Sequence, residues 1–259
     1  MTGITLKSKE EIAILKEGGQ ILARILNELK LKAVPGVSTK ELNDLADELC
    51  KKYNVRPTFL NYQPHSAPRP YPASLCVSIN DEIVHGIPNE KPRVLNNGDV
   101  VSLDMGIEYK KLITDSAITV GVGEIDSKAK KLLELTEKAL YAGIDAAVVG
   151  AKTGDIGVAV EKIIKPAGFG LPVELGGHGV GYEVHEDPFI ANFGKKGQGA
   201  TLKPGMVICI EPMVNEGTAK AIFEDDGYTV RTADGKRSAH FEHTVAITES
   251  GPKILTTLD

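Results

Sequence analysis

Apolar residues recur at helical spacing in two regions of the chain. Ile14, Ile21, Ile25 and Leu29 mark one amphipathic helix, and Leu132, Leu133, Leu135 and Leu140 mark another past the middle. Each run leads through a glycine turn into a second helical segment, "VPGVSTKELNDLADELCKKY" from Val34 and "VGAKTGDIGVAVEKIIKPAG" from Val149. The two segments align about 114 residues apart, matching Gly36 with Gly150, Thr39 with Thr153, Glu41 with Asp155 and Leu42 with Ile156; Leu45 and Leu49 then match Ala159 and Ile163. In each, a glycine ends one helix and Ser or Thr is placed to cap the next, with Ser38 and Glu41 at capping-box spacing. The match predicts two helix-turn-helix units, each followed by β-rich sequence. Chance likeness between two capped helices is the competing explanation.

Elsewhere the period falls to two. The segments "ASLCVSI", "GDVVSLDMGIEYKKLITDSAITVGVG", "MVICIEPMV", "YTV" and "HFEHTVAI" carry β-branched residues in alternation and are bounded by Gly or Asn-Gly. Strands joined by loops rather than alternating with helices predict an α+β fold, an antiparallel or mixed sheet with helices packed on one face. No Ser/Gly linker divides the chain, so the expectation is one domain, 1–259, of two pseudo-symmetric halves at about 1–122 and 123–259. The stretch "LGGHGVGYEVHEDP" (175–188) suits neither an ordinary helix nor an ordinary strand.

Composition narrows the class. With 42% hydrophobic and 25% charged residues, the chain is neither disordered nor membrane-spanning. A net charge of −5 argues against nucleic-acid or anionic-membrane partners, which require a basic excess. The N-terminal residues scatter charge and lack an apolar core, so no signal peptide is read and a cytoplasmic location is expected. Cys50, Cys76 and Cys209 are far apart and form no CxxC, which excludes a disulfide framework or a Cys-rich zinc module.

Chemistry concentrates in the β segments. A hairpin turning near Tyr109 and Lys110 would set Asp104 and Asp115 opposite each other on one face. Like charges 4 Å apart repel by about 4 kcal/mol at an effective dielectric of about 20, so a cation is expected between them unless both point to solvent at a sheet edge. Glu211 ends the apolar "MVICI", and Glu242 lies among aromatic and β-branched neighbours. A carboxylate in such a strand is costly unless it faces outward, is paired or is coordinated. His178, among Gly176, Gly177 and Gly179, adds a neutral imidazole on a backbone bare enough for close approach of a ligand. One histidine and four carboxylates carry a formal charge of about −4, which two divalent cations cancel. GxGxxG, Walker, HExxH and GxSxG patterns are absent.

The signatures "VSINDEIVHGIP" (77–88), "SLDMG", "TDSA", "GGHGVG", "VHEDP", "IEPM" and "FEHTVAIT", in this order, make the sequence similar to the type I methionine aminopeptidases of the pita-bread metallopeptidase family over nearly its whole length. The resemblance implies a pita-bread fold and removal of the initiator methionine from nascent polypeptide N-termini. By resemblance Asp104 chelates one metal, Asp115 and Glu242 bridge two, and His178 and Glu211 complete the second. The metals implied are Co, Mn, Fe or Zn. Glu211 is the implied proton carrier, His185 the partner of the carbonyl oxygen, and His85 the contact to the scissile nitrogen or the next peptide group. The methionine pocket maps to Tyr62, Tyr71, Cys76, Val184 and Tyr228.

Three departures from the family pattern stand out. The segment "NYQPHSAPRPYPAS" is longer and stiffened by prolines, with His65 read as a solvent-facing bystander. Tyr228 and Val184 stand where a tryptophan and an aromatic residue are common. Lys110-Lys111 replaces an Asp-Gly type turn and predicts a different loop geometry. Neither an N-terminal zinc finger nor a large insertion before "IEPM" is present, as in the short bacterial form, and a monomer with transient ribosome contact is expected. The alternatives are an Xaa-Pro aminopeptidase or dipeptidase on the same fold, and a non-catalytic binding protein of that fold.

Overall fold

The computed structural model describes residues 3–64 and 67–258, and the expectation for His65 therefore lies outside the described residues. In chain order the elements are α1 (Lys9–Lys32), α2 (Thr39–Tyr53), β1 (Arg56–Pro57), β2 (Cys76–Ile79), β3 (Glu82–Val84), β4 (Val100–Tyr109), β5 (Leu112–Gly121), α3 (Ser127–Ala146) and α4 (Thr153–Ile164). There follow β6 (Gly176–Gly179), β7 (Glu186–Ala191), β8 (Val207–Ile210), β9 (Met213–Asn215), β10 (Ala221–Phe223), β11 (Val230–Thr232), β12 (Ser238–His240), β13 (Glu242–Thr248) and β14 (Gly251–Ile254). No helix is long and apolar enough to cross a membrane among the described residues.

Local chemistry sets the helix ends. Ser8 and Glu11 form a capping box at the start of α1, and Ser38 and Glu41 do so at α2, each satisfying backbone N–H groups that a first turn leaves open. At α4 the expected Ser/Thr cap is replaced. Lys152 occupies the cap position, Thr153 is already helical, and Asp155 alone accepts the Lys152 N–H at 2.8 Å. The turns before α2 and α4 are otherwise alike: Gly36 and Gly150 have φ of +93° and +84° and donate to the carbonyls of Leu95 and Leu202.

The expected α+β architecture is present. Nine strands form one antiparallel sheet in the order β1-β4-β5-β13-β8-β6-β7, with β2 also pairing β4 and β14 pairing β13. Two small sheets, β10-β11-β3 and β12-β9, lie beside it. Strand alternation gives the main sheet two distinct faces. Leu103 and Met105 of β4 pack with Leu22, Ile25 and Leu42 of the first helix pair, while Val245 and Ile247 of β13 pack with Leu140, Ile144 and Ile156 of the second. Residues of the opposite parity, including Asp104, Asp115 and Glu242, therefore face away from these helices.

The structure corrects several local expectations. Gly176–Gly179 is a strand, held between β7 and β8. A Cβ on Gly177 would lie 2.1 Å from the Cys209 carbonyl oxygen and one on Gly179 2.3 Å from that of Asp187, so these glycines admit neighbouring backbone rather than a ligand. The segments "MVICIEPMV" and "HFEHTVAI" each divide in two, at Glu211-Pro212 and at Phe241. The β4–β5 turn is Lys110-Lys111, one residue later than expected. That shift pairs Asp104 with Ala117 and Gly106 with Asp115. The two aspartates are thus diagonal rather than opposite, yet still on one face, because a partner moves by two when the turn centre moves by one. Both lysines have positive φ, 50° and 68°, the signature of the primed hairpin turn that Asn-Gly or Asp-Gly usually makes, so the loop geometry is not a different one.

A lysine held in the left-handed region carries a steric penalty of about 1–2 kcal/mol, partly offset in glycine by lost chain entropy. Lys111→Gly is expected to stabilise the protein by about 0.5–1 kcal/mol, measured by urea denaturation. An unchanged or lower midpoint would contradict the strain assigned to this turn.

Candidate metal centre

Three adjacent strands carry Asp104, Ala117 and Glu242 in one row across the sheet, through the registers Asp104↔Ala117 and Ala117↔Glu242. Asp115 lies two residues from Ala117 on the same face, and the alanine methyl leaves the space above the row open. The strands β5 and β13 pair over only two residue pairs. Within and just past those pairs, hydroxyl groups also join the two strands. Thr244 Oγ1 accepts from the Asp115 N–H at 2.9 Å and donates to the Asp115 carbonyl at 2.7 Å, while Ser116 Oγ donates to the Glu242 carbonyl at 2.7 Å. Glu211 follows β8, its carbonyl held by Asn192 Nδ2 at 3.0 Å.

All four acids are buried, at 7% exposure for Asp104, 3% for Asp115, 8% for Glu211 and 2% for Glu242. Their ion-pair partners among the described residues are only the imidazoles of His178 and His240. Burial, then repulsion from neighbouring acids, raises the pKa of Asp104 and Glu242 well above the ordinary range and that of Asp115 to about 8. Burial brings Glu211 to about 7. Asp104 Oδ1 and Glu242 Oε1 have no hydrogen-bond partner among the described residues. Such orphaned, mutually repelling oxygens in one place require compensation by positive charge.

His178 identifies what kind of positive charge fits. Its Nδ1 lies 2.9 Å from the Gly179 carbonyl oxygen, which can only accept, so in the neutral ring the proton is on Nδ1. The bare Nε2 lone pair then points to Glu211 Oε1 at 3.4 Å, two acceptors face to face. A metal ion between them resolves the conflict, and the carbonyl that fixes the tautomer is the outer-shell contact common for metal-bound histidine. Asp104, Asp115 and Glu242 each offer a ligand atom within 4.8 Å of the others, as do His178, Cys209 and Glu242. Cys209 is a buried thiol whose pKa is raised well above normal by burial and then by Glu242, so it offers no thiolate. Oxygen atoms and one imidazole nitrogen remain, a donor set for divalent cations.

The acids form one wall of a cavity of about 670 Å³. Tyr62, Tyr71, Cys76, His85, His178, His185 and Tyr228 line the same space. Val184 does not face that space, although it is buried in the same core cluster as Phe59, Tyr71 and Cys76; Phe59 adds an aromatic ring to the lining. The Tyr71 and Tyr228 rings meet edge-on at 5.0 Å, and Tyr228 Oη donates to the Arg69 carbonyl at 2.5 Å, tying the proline-rich loop to the pocket. His185 stands 4.4 Å from His178 between ring centroids, with Nδ1 2.8 Å from the Tyr62 hydroxyl. Enclosure of its ring, then the neighbouring His178 and His85, disfavours its protonation. Burial lowers His85 to about 4, and its φ of 59° places it in the left-handed region, a strained conformation often found at functional sites.

Two participants escaped the sequence reading. His240 is buried in "HFEHTVAI" with its ring facing Glu211 and Glu242, and only its place two residues before Glu242 on a β segment could have pointed to it. Lys7 is the other. Its Nζ lies 2.6 Å from Glu186 Oε2, both side chains 1% exposed, while Glu186 Oε1 accepts the Tyr182 and Glu183 N–H groups at 2.6 and 3.1 Å. This buried pair anchors the loop that carries His185.

Residues 13–249 match the family "Metallopeptidase family M24". The chain belongs to metallopeptidase family M24. A methionine aminopeptidase of Aquifex aeolicus is 46% identical over 98% of this chain and 99% of its own. The crystal structure of methionine aminopeptidase from Thermotoga maritima superposes with a TM-score of 0.93 at 40% identity, covering 98% of this chain and 99% of that one. A prolidase from Pyrococcus furiosus reaches 0.72 at 26% identity over 98% of this chain and 66% of its own. Membership of family M24 implies divalent-metal use, and the acid cluster is a set of described residues able to hold such an ion.

Stability should carry the electrostatic signature of the cluster. A folded-state pKa raised above the unfolded value means that protons lost by the unfolded chain are retained by the folded one, so stability declines as pH rises from about 4 to about 8. Chelated protein is expected to show a falling Tm across that window, and saturating Mn²⁺ to abolish the decline. A flat profile in chelator would contradict the cluster's charge imbalance.

Proposed function

We propose that this chain removes the N-terminal methionine from nascent proteins and peptides, holding two divalent ions between Asp104, Asp115, His178, Glu211 and Glu242. The observation that carries the reading is the convergence of four buried, uncompensated acids and one lone-pair-bearing imidazole on the wall of a pocket lined by tyrosine, phenylalanine and cysteine. Likeness over nearly full length to methionine aminopeptidases, against partial coverage of a prolidase, supports methionine rather than Xaa-Pro chemistry.

Asp104 would hold one ion, His178 with Glu211 would hold the other, and Asp115 and Glu242 would serve both. When bound, the ions supply a hydroxide near neutral pH and polarise the scissile carbonyl. The rest falls to the chain's own groups. Glu211, whose burial raises its proton affinity to near neutrality, takes the proton released by the attacking water and passes it to the leaving amine. With the Tyr62 hydroxyl donating to His185 Nδ1, the His185 Nε2–H donates to the carbonyl oxygen as it gains charge. His85 contacts the scissile nitrogen or the next peptide group. The methionine side chain occupies the space among Tyr62, Tyr71, Cys76, Phe59 and Tyr228, where a flexible thioether packs well against aromatic rings.

The same reading takes the catalytic unit as one domain of two pseudo-symmetric halves, working as a monomer in the cytoplasm with brief contact to the ribosome. Mn, Fe, Co and Zn all suit the donor set.

Metal-stripped protein titrated with each of these ions is expected to regain cleavage of Met-Ala-Ser and to leave an Ala-Pro peptide intact. Preference for Ala-Pro would overturn the assignment. Glu242→Gln and Asp104→Asn are expected to lose both turnover and metal uptake, whereas His185→Ala should bind metal normally and lose about 10²–10³ in kcat, as removal of an oxyanion donor does.

A further inference from the structure

The imidazole of His240 is 2% exposed, and neither of its ring nitrogens has a hydrogen-bond partner among the described residues. Its Nε2 lies 3.4 Å from Glu211 Oε2 and 4.0 Å from Glu242 Oε2. The backbone at this position is unusually well fixed. Thr119 Oγ1 accepts the His240 N–H at 2.8 Å and donates to the His240 carbonyl at 2.6 Å, and β12 pairs His240 with Met213. A side chain so anchored, and so little satisfied, is aimed at something.

Two imidazoles therefore flank the Glu211 carboxylate, one at each oxygen, and they differ in what they present. His178 turns a lone pair toward Oε1, because its Nδ1–H is committed to the Gly179 carbonyl. His240 has no such commitment. A neutral ring places its single proton where the acceptors are, and both carboxylates lie on the Nε2 side. A proton on His240 Nε2 has Glu211 Oε2 as its nearest carboxylate oxygen, at 3.4 Å, and a small rotation of either side chain would bring the two into a hydrogen bond.

Building on the metallopeptidase reading above, we propose that His240 is a positioning residue: its Nε2–H holds Glu211 Oε2, so that Oε1 is turned toward the ion shared with His178. Without that donor, the Glu211 carboxylate is free to rotate about its last bond, and the oxygen facing His178 is no longer fixed. Outer-shell partners of this kind are typically worth 10–100-fold in metal affinity or activity.

Three variants separate the hydrogen bond from mere packing. His240→Gln keeps an N–H donor of similar reach; His240→Leu fills the space without one; His240→Asn carries a donor too short to reach Glu211. Mn²⁺ binding by isothermal titration and kcat and KM on Met-Ala-Ser are measured for each. Leu and Asn are expected to weaken the tighter Mn²⁺ site by about tenfold or more and to lower kcat by about 10–100-fold, with KM changed by less than about twofold. Gln is expected to recover most of both losses. The Tm of chelated His240→Leu should equal or exceed that of the parent, since an unpartnered buried imidazole is replaced by an apolar group. If Leu binds Mn²⁺ and turns over like the parent, or if Gln is as impaired as Leu, the assignment is wrong. Should Leu fail to fold, the Gln–Asn comparison decides by the same criteria. The parent protein's own hydrolysis of Met-Ala-Ser reports on the methionine reading separately: if it is absent while the Mn²⁺ affinities still follow the donor, that reading fails and the role of His240 stands.

Discussion

Four carboxylates without a lysine or arginine partner, enclosed on one face of a sheet, are the constraint around which this protein is organised. Burial raises the affinity of each for protons, and repulsion between acids adds to it at Asp104, Asp115 and Glu242, which means that, apart from bound cations, the folded state becomes less favourable as these groups ionise. Folding alone does not remove that penalty. The other face of the same strands supplies the opposing term, since Leu103, Met105, Ile118, Val245 and Ile247 bury against the two helix pairs. A strand with one parity committed to helix packing has no freedom to rotate its acids away from one another.

The hydroxyl groups between β5 and β13 are the second requirement. Ser116 and Thr244 bond from β5 and β13 across to the other strand, and Thr119 bonds from β5 to β12, beside or beyond the two backbone pairs. They satisfy backbone groups that would otherwise be buried without partners, and they do so with short side chains of fixed reach. The main chain that carries Asp115 and Glu242 is held in place by these hydroxyls.

Much of this was legible in the sequence because the chemistry and the periodicity coincide. Asp104 and Asp115 interrupt period-two runs, and their placement on one face survived an error of one residue in the turn, since parity is conserved when register shifts by two. The amphipathic runs and the Gly36 and Gly150 turns located the helix pairs. The glycine run misled, because glycine in a strand was taken to break it, whereas here the neighbouring backbones on both sides leave no room for a Cβ. Breaks at Glu211-Pro212 and Phe241 were missed because apolar alternation continues through them. Val184 was assigned to the pocket by motif position and packs behind it. His240 and Lys7 stayed hidden for a common reason: each matters through a partner distant in sequence, Glu211 and Glu186, and the only local signal was the shared parity of His240 and Glu242.

The Lys7–Glu186 pair also bears on how the molecule is made. Its partners are 179 positions apart, so a ribosome must extend the polypeptide far past its midpoint before the ammonium group meets its carboxylate. The loop bearing His185 consequently acquires its shape late, from a lysine that emerged among the first. The shape of that loop is in this sense a record of the N-terminus having met a segment made much later.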